Sequence, residues 1–92
     1  MGATNIYVIQ KGSSMRDAFN LATEEANDEY GHQQGYSGQI NSCELSGDKT
    51  AKYKELGEED FEEWANDNTD KREVVGFEIE KGKYGFIGWA PE

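Results

Sequence analysis

Ninety-two residues make one domain with a small core. Nine Lys and Arg against nineteen Asp and Glu leave a formal charge of −10, which excludes the basic stripe that nucleic acid or anionic lipid needs and attracts basic surfaces instead. Hydrophobic residues are only 35% of the chain, but 12% are aromatic and the apolar positions fall into periodic segments, which argues against disorder.

Residues 5–10 (Asn-Ile-Tyr-Val-Ile-Gln) are β-branched and aromatic and predict a buried strand. Lys11, Gly12 and Ser13 turn the chain. Ser14 is then placed as a helix N-cap, with Asp17 three residues on as its capping-box partner. Met15, Ala18, Phe19, Ala22, Ala26 and Tyr30 recur at helical spacing on one face, while Asp17, Glu24 and Asp28 share another. Gly31 stands where a left-handed C-cap is expected. Residues 31–38 hold three glycines without periodicity and read as a loop. Residues 39–45 alternate weakly, as a short strand does, and Ser46-Gly47-Asp48 reads as a turn.

Residues 50–56 fit a helical turn or a loop lying on the core, and Gly57 breaks the segment. Residues 58–68 predict a short helix with Phe61, Trp64 and Ala65 on one face. Glu58, Glu59 and Asp60 sit in its first turn, where the helix dipole favours them. Residues 74–79 and 84–90 form the clearest strand pair, joined by a hairpin loop at Lys81-Gly82-Lys83. Gly76, Gly85 and Gly88 inside these strands imply close packing, a bulge or an approaching backbone. The order β-α-β-(α)-α-β-β predicts an α+β fold, a small antiparallel sheet packed against one long and one short helix. The expected core is Ile6, Val8, Phe19, Ala22, Trp64, Phe77, Ile79, Phe86 and Ile87. Phe86 and Ile87 are adjacent, however, and on a regular strand they cannot both point to one side.

Catalytic patterns are not found. His32 is the single histidine, and no Ser or Cys is tied to it by spacing, as a nucleophilic triad requires. Gly82-Lys83 is followed by Tyr84 and a strand, where a phosphate loop has Ser or Thr and a helix. Consecutive acids on a helix point in different directions and do not build the oxygen cage that calcium needs. No metal, cofactor or enzymatic activity is expected. One cysteine, Cys43, forms no internal disulfide, which fits a reducing compartment. No signal-peptide pattern is read at the N-terminus, and no stretch approaches the roughly 20 apolar residues of a membrane span. A cytoplasmic location is expected.

The charge itself is organised. Between residues 55 and 70 lie Glu55, Glu58, Glu59, Asp60, Glu62, Glu63, Asp67 and Asp70, with no Lys or Arg. A second base-free stretch, residues 17–48, carries Asp17, Glu24, Glu25, Asp28, Glu29, Glu44 and Asp48. Helical carboxylates four apart are separated by about 6 Å along the axis. That resembles neighbouring phosphates of a nucleic-acid strand, although each such pair costs a helix about 0.2–0.5 kcal/mol. Glu58, Glu59, Asp60, Glu62, Glu63 and Asp67, with Asp17, Glu24 and Asp28, are therefore the candidate partner-binding residues. The expected partner is a basic protein surface of the kind that handles nucleic acid. The alternative is an accessory domain whose acidity serves solubility alone.

The succession Glu29-Tyr30-Gly31, then Gly35-Tyr36-Ser37-Gly38-Gln39-Ile40, then Tyr84-Gly85-Phe86-Ile87-Gly88-Trp89-Ala90 is similar to small uncharacterised proteins encoded by bacteriophages and prophages. The similarity runs over residues 15–90, and residues 46–68 depart from it. It implies a small accessory protein acting in the cytoplasm of a bacterial host, with no catalytic residue to carry over. By analogy with acidic phage proteins that act as DNA mimics, the expected role is to inhibit or modulate a host nucleic-acid-handling or defence protein.

Overall fold

The computed structural model describes residues 3–30, 40, 43–70 and 72–91. The elements follow the expected order: β1 (Ala3–Lys11), α1 (Met15–Tyr30), β2 (Glu44–Asp48), α2 (Thr50–Leu56), α3 (Glu58–Asp67), β3 (Glu73–Glu80) and β4 (Lys83–Pro91). The class is α+β. The strands lie in the order β1-β4-β3-β2, with β4 antiparallel to both β1 and β3. The sheet is mixed, however, and not antiparallel throughout, because β2 runs parallel to β3. The connection between them explains this. α2 and α3 carry the chain back along the sheet, and a helical crossover returns the next strand in the same direction.

Two strands differ from their expected form. β1 is an edge strand in which Ile6 alone is buried, and Ile9 is 49% exposed. A run of β-branched residues reads alike whether or not a neighbour covers its outer edge. β2 occupies residues expected to turn. The Ser46 hydroxyl donates to the Val74 carbonyl at 3.1 Å and holds this segment against β3. The turn falls later, where the Asp48 carboxylate accepts from the Thr50 N–H at 2.9 Å and from its hydroxyl at 2.6 Å. Gly31, His32 and the rest of the expected loop, residues 31–38, lie outside the described residues.

α1 starts at the expected cap. The Asp17 N–H donates to Ser14 Oγ at 3.1 Å. The Asp17 carboxylate reaches one residue further back than a capping box does, accepting from the Ser13 N–H at 3.0 Å and its hydroxyl at 3.2 Å.

Side chains alternate along a strand, so a sheet has two faces. Helices cover both. On one face α1 packs Ala18, Phe19, Ala22 and Ala26 against Ile6, Val74, Tyr84, Phe86 and Ala90. On the other, α2 and α3 pack Phe61, Ala65, Tyr53, Leu56 and Trp64 against Val75, Phe77 and Ile87, with Tyr7 and Ile79 alongside. The adjacent pair Phe86 and Ile87 is thereby resolved: each is buried, on opposite faces. Of the expected core, Val8, Ile79 and Trp64 are only partly buried, while Phe61 is fully buried. The strand glycines are sites of close approach. A Cβ at Gly85 would enter the Phe77 ring, and one at Gly88 would strike the backbone of Glu73 and Val74. No helix among the described residues is long and apolar enough to cross a membrane.

Candidate functional site

Gly57, at φ 85°, separates α2 from α3 and takes a conformation that L side chains avoid. Two short helices therefore meet at an angle, where one longer helix would have run straight on. Both are tied to the sheet. The Glu78 N–H donates to Thr50 Oγ1 at 2.9 Å at the start of α2, and Trp89 Nε1 donates to the Asn66 carbonyl at 2.8 Å near the end of α3. α3 buries Phe61 and Ala65 and leaves Glu58, Glu59, Asp60, Glu63 and Asp67 exposed, with Glu62 and Trp64 partly buried.

An open groove lies across this surface, lined by Leu56, Asp60, Glu63, Trp64 and Asp67. A second is lined by Leu56, Gly57, Glu58, Glu59 and Asp60, so the two meet at the α2–α3 joint. Trp64 is held from below by stacking on Phe61, with ring centroids 5.7 Å apart. Lys52 Nζ stands 5.6 Å from the Trp64 ring centroid and forms an ion pair with Glu55 at 3.9 Å. Among the described residues, none of the six α3 carboxylates lies within ion-pair distance of a Lys or Arg. An apolar floor with a carboxylate rim suits a basic side chain: the aliphatic stem lies on Leu56 and Trp64, and the charged head reaches the acids.

Glu58 has a structural bond as well. Its Oε1 accepts from the Tyr7 hydroxyl at 3.4 Å. Burial first, and then the charge of Glu58, push the Tyr7 hydroxyl up to about 12, so it stays protonated and donates. Glu62 also lies close enough to add to this effect.

The other three candidates stand elsewhere. Asp17 is committed to the start of α1, and Glu24 and Asp28 are exposed on that helix, across the sheet from α3. The nine candidates therefore divide between two opposite sides. The structure gathers the α3 acids and leaves Asp17, Glu24 and Asp28 apart from them. Leu56 and Trp64 were missed as groove-lining residues. The available signal was a large aromatic three residues after Phe61 on a short helix, too wide for one narrow helix to bury entirely.

Cys43 offers no nucleophile. Burial outweighs the nearby Arg72 charge and pushes its thiol up to about 12, and its Sγ lies 3.4 Å from the Trp89 carbonyl, to which it donates. Among the described residues no group of three or more His, Cys, Asp or Glu is arranged to hold a metal ion. Compared with protein-family models, with curated proteins and with solved structures, the chain matches none.

Proposed function

We propose that this is a binding protein without enzymatic activity, which docks the carboxylate-rimmed surface of α2 and α3 on a basic protein surface. The partner we propose is a nucleic-acid-handling or defence protein of a bacterial host, which the docked chain inhibits or modulates by standing in for DNA. The observation that supports this reading is the set of α3 carboxylates, without basic neighbours in ion-pair range among the described residues, around a groove floored by Leu56 and Trp64. Acids kept only for solubility have no need of an apolar floor. That blander reading fits Glu24 and Asp28, which stand exposed on α1, across the sheet from the groove of Leu56 and Trp64.

The test is capture from bacterial lysate at low salt, followed by competition with duplex DNA. A specific partner should be retained, released by DNA, and bound more weakly as salt rises. Reversing Glu59, Asp60, Glu63 and Asp67 together to Lys should abolish capture in a folded protein. Reversing Glu24 and Asp28 should leave capture unchanged, and Asp17 is kept because it caps α1. Single reversals at an exposed rim are expected to change binding by only about 0.2–1 kcal/mol each. Capture that survives the fourfold α3 reversal would remove the basis for this reading.

A further inference from the structure

The two edges of the sheet are built differently. β2 offers five residues, a register shift between Leu45 and Gly47, and carboxylates at Glu44 and Asp48. A short, bulged, charged edge resists the addition of another strand. β1 runs for nine residues and pairs with β4 from Ala3↔Pro91 to Lys11↔Lys83 without a shift. It contains no proline, no glycine and no carboxylate, and Ile9 stands 49% exposed on it.

The directions of the β1 backbone groups follow from two hydrogen bonds. The Gly12 N–H donates to the Gly82 carbonyl at 3.0 Å, on the β4 side. The Trp89 carbonyl accepts from the Arg72 N–H at 3.0 Å, on the side of β4 away from β1. In an antiparallel pair, the N–H and C=O of one residue point the same way and the direction alternates along the strand. Thr4, Ile6, Val8 and Gln10 therefore face β4, opposite Ala90, Gly88, Phe86 and Tyr84. Ala3, Asn5, Tyr7, Ile9 and Lys11 turn both backbone groups outward, where no strand pairs with them among the described residues.

We infer that a second copy of this chain occupies this edge, its β1 antiparallel to the first about a two-fold axis at Tyr7, so that one eight-stranded sheet runs through the dimer. The outward residues are symmetric about position 7, so this register satisfies all of them. Tyr7 faces the partner's Tyr7, Asn5 faces the partner's Ile9, and Ala3 faces the partner's Lys11. On the α1 face Ile6 meets the partner's Val8, apolar against apolar. On the α3 face the exposed Ile9 lies diagonal to the partner's Tyr7.

Charge selects the same edge. A chain of net charge −10 repels its own copy over most of its surface, but no Asp or Glu occurs between Ala3 and Arg16, while Lys11 and Arg16 do. The blunted β2 edge stops further addition, so the assembly closes at two copies. Glu58, bonded to Tyr7, comes nearer to its counterpart on pairing, so the dimer tightens as salt rises. The proposed basic partner binds with the opposite salt dependence, so the two readings stand or fall separately.

Sedimentation of the full chain across a dilution series, at low and moderate salt, tests this. The expected result is a reversible species of twice 10.3 kDa that gains population with salt. Ile9→Lys should weaken it by at least about tenfold. Ile9→Pro removes an outward N–H while leaving the β4 bonds intact, and should give a monomer with unchanged circular dichroism. If that variant does not fold, Ile9→Lys decides. In the wild-type dimer the amides of Asn5, Tyr7 and Ile9 should become protected from hydrogen exchange as concentration rises. A wild-type chain that stays monomeric, a dimer indifferent to both Ile9 variants, or freely exchanging Asn5, Tyr7 and Ile9 amides in the dimer would each overturn the inference. Protection of those amides only by a different protein would assign the edge to a foreign strand and equally overturn it.

Discussion

The two faces of the sheet are both covered by helices but are held by different means. α1 presents Ala18, Ala22 and Ala26, so its backbone comes close to the strands. Gly12 lets the chain enter there: a Cβ on it would lie 2.7 Å from the Ala18 nitrogen. On the opposite face the helices stand on rings. The Phe77 ring centroid lies 4.5 Å from that of Tyr53, 4.8 Å from that of Phe61 and 6.0 Å from that of Tyr7. Helices of seven and ten residues are too short to persist alone, so α2 and α3 depend on that cluster, whereas α1 has sixteen residues and a side-chain cap. The proposed docking surface therefore rests on the less self-sufficient face.

The largest expected effect breaks the ring cluster. Phe77→Ala should cost about 3–5 kcal/mol, much of the roughly 5–15 kcal/mol that holds a small domain. Phe19→Ala removes an equal ring from the α1 face but should cost less. Phe19 meets one ring, Phe86 at 5.6 Å, and is slightly exposed. Denaturant melts of the two variants side by side decide the ranking, and a costlier Phe19→Ala would invert it.

Next come the two strand glycines. Overpacking costs about 1–3 kcal/mol, and more where nothing can move. Gly88→Ala meets backbone, and Gly85→Ala meets the Phe77 ring. Adding Phe77→Leu should recover part of the Gly85→Ala loss and none of the Gly88→Ala loss, which a double-mutant cycle measures directly. Losing the α1 cap is smaller. Ser14→Ala should cost about 1 kcal/mol by thermal melting. α3 offers no matching change, since Gly57 makes no side-chain cap bond.

Each face also carries one titrating reporter. Cys43, on the α1 side, is raised from 9.0 to about 12, and Tyr7, on the ring side, from 10.0 to about 12, both mainly by burial. The folded chain keeps these protons at pH values where the unfolded chain has lost them. Their contribution is complete below pH 9 for Cys43 and below pH 10 for Tyr7, and it fades as pH climbs towards 12. The melting temperature should start to fall above pH 9, and Cys43→Ala should delay that fall until Tyr7 begins to titrate near pH 10. The smallest effect is that of salt. Glu58/Glu62, Glu59/Glu63 and Glu63/Asp67 are like-charge neighbours on α3, so moderate salt should raise the melting temperature by a few degrees. The fourfold α3 reversal should change that slope more than reversal of Glu24 and Asp28.

Local chemistry was legible in the sequence. The Ser14 cap, the Gly57 break, the hairpin at Gly82 and the tight glycines all announce themselves by residue type and stand where expected, while the Asp17 carboxylate reaches back to Ser13 instead of Ser14. Pairing between distant segments was not legible. Whether β2 runs parallel or antiparallel to β3 depends on where two short helices deliver the chain, and no residue in β2 encodes that. The double-sided core left a trace that an alternating pattern conceals. Val74-Val75-Gly76-Phe77 and Tyr84-Gly85-Phe86-Ile87 are near-continuous apolar runs, the mark of a strand covered on both faces. Adjacent Phe86 and Ile87 were therefore evidence for a second helical layer. The acidic surface was visible as charge, but its division by the sheet follows from topology alone.

The placement of β4 has a consequence for biosynthesis. Although central in the sheet, it comes last in chain order among the described strands, and it supplies Phe86 to one core and Ile87 to the other. Ala3 waits for Pro91 before β1 has its strand neighbour. A nascent chain thus holds neither core until residue 91 clears the ribosome. Folding must close loops almost as long as the domain, which places it among the slower of small domains. A product cut short before residue 84 has no half-folded refuge from proteases.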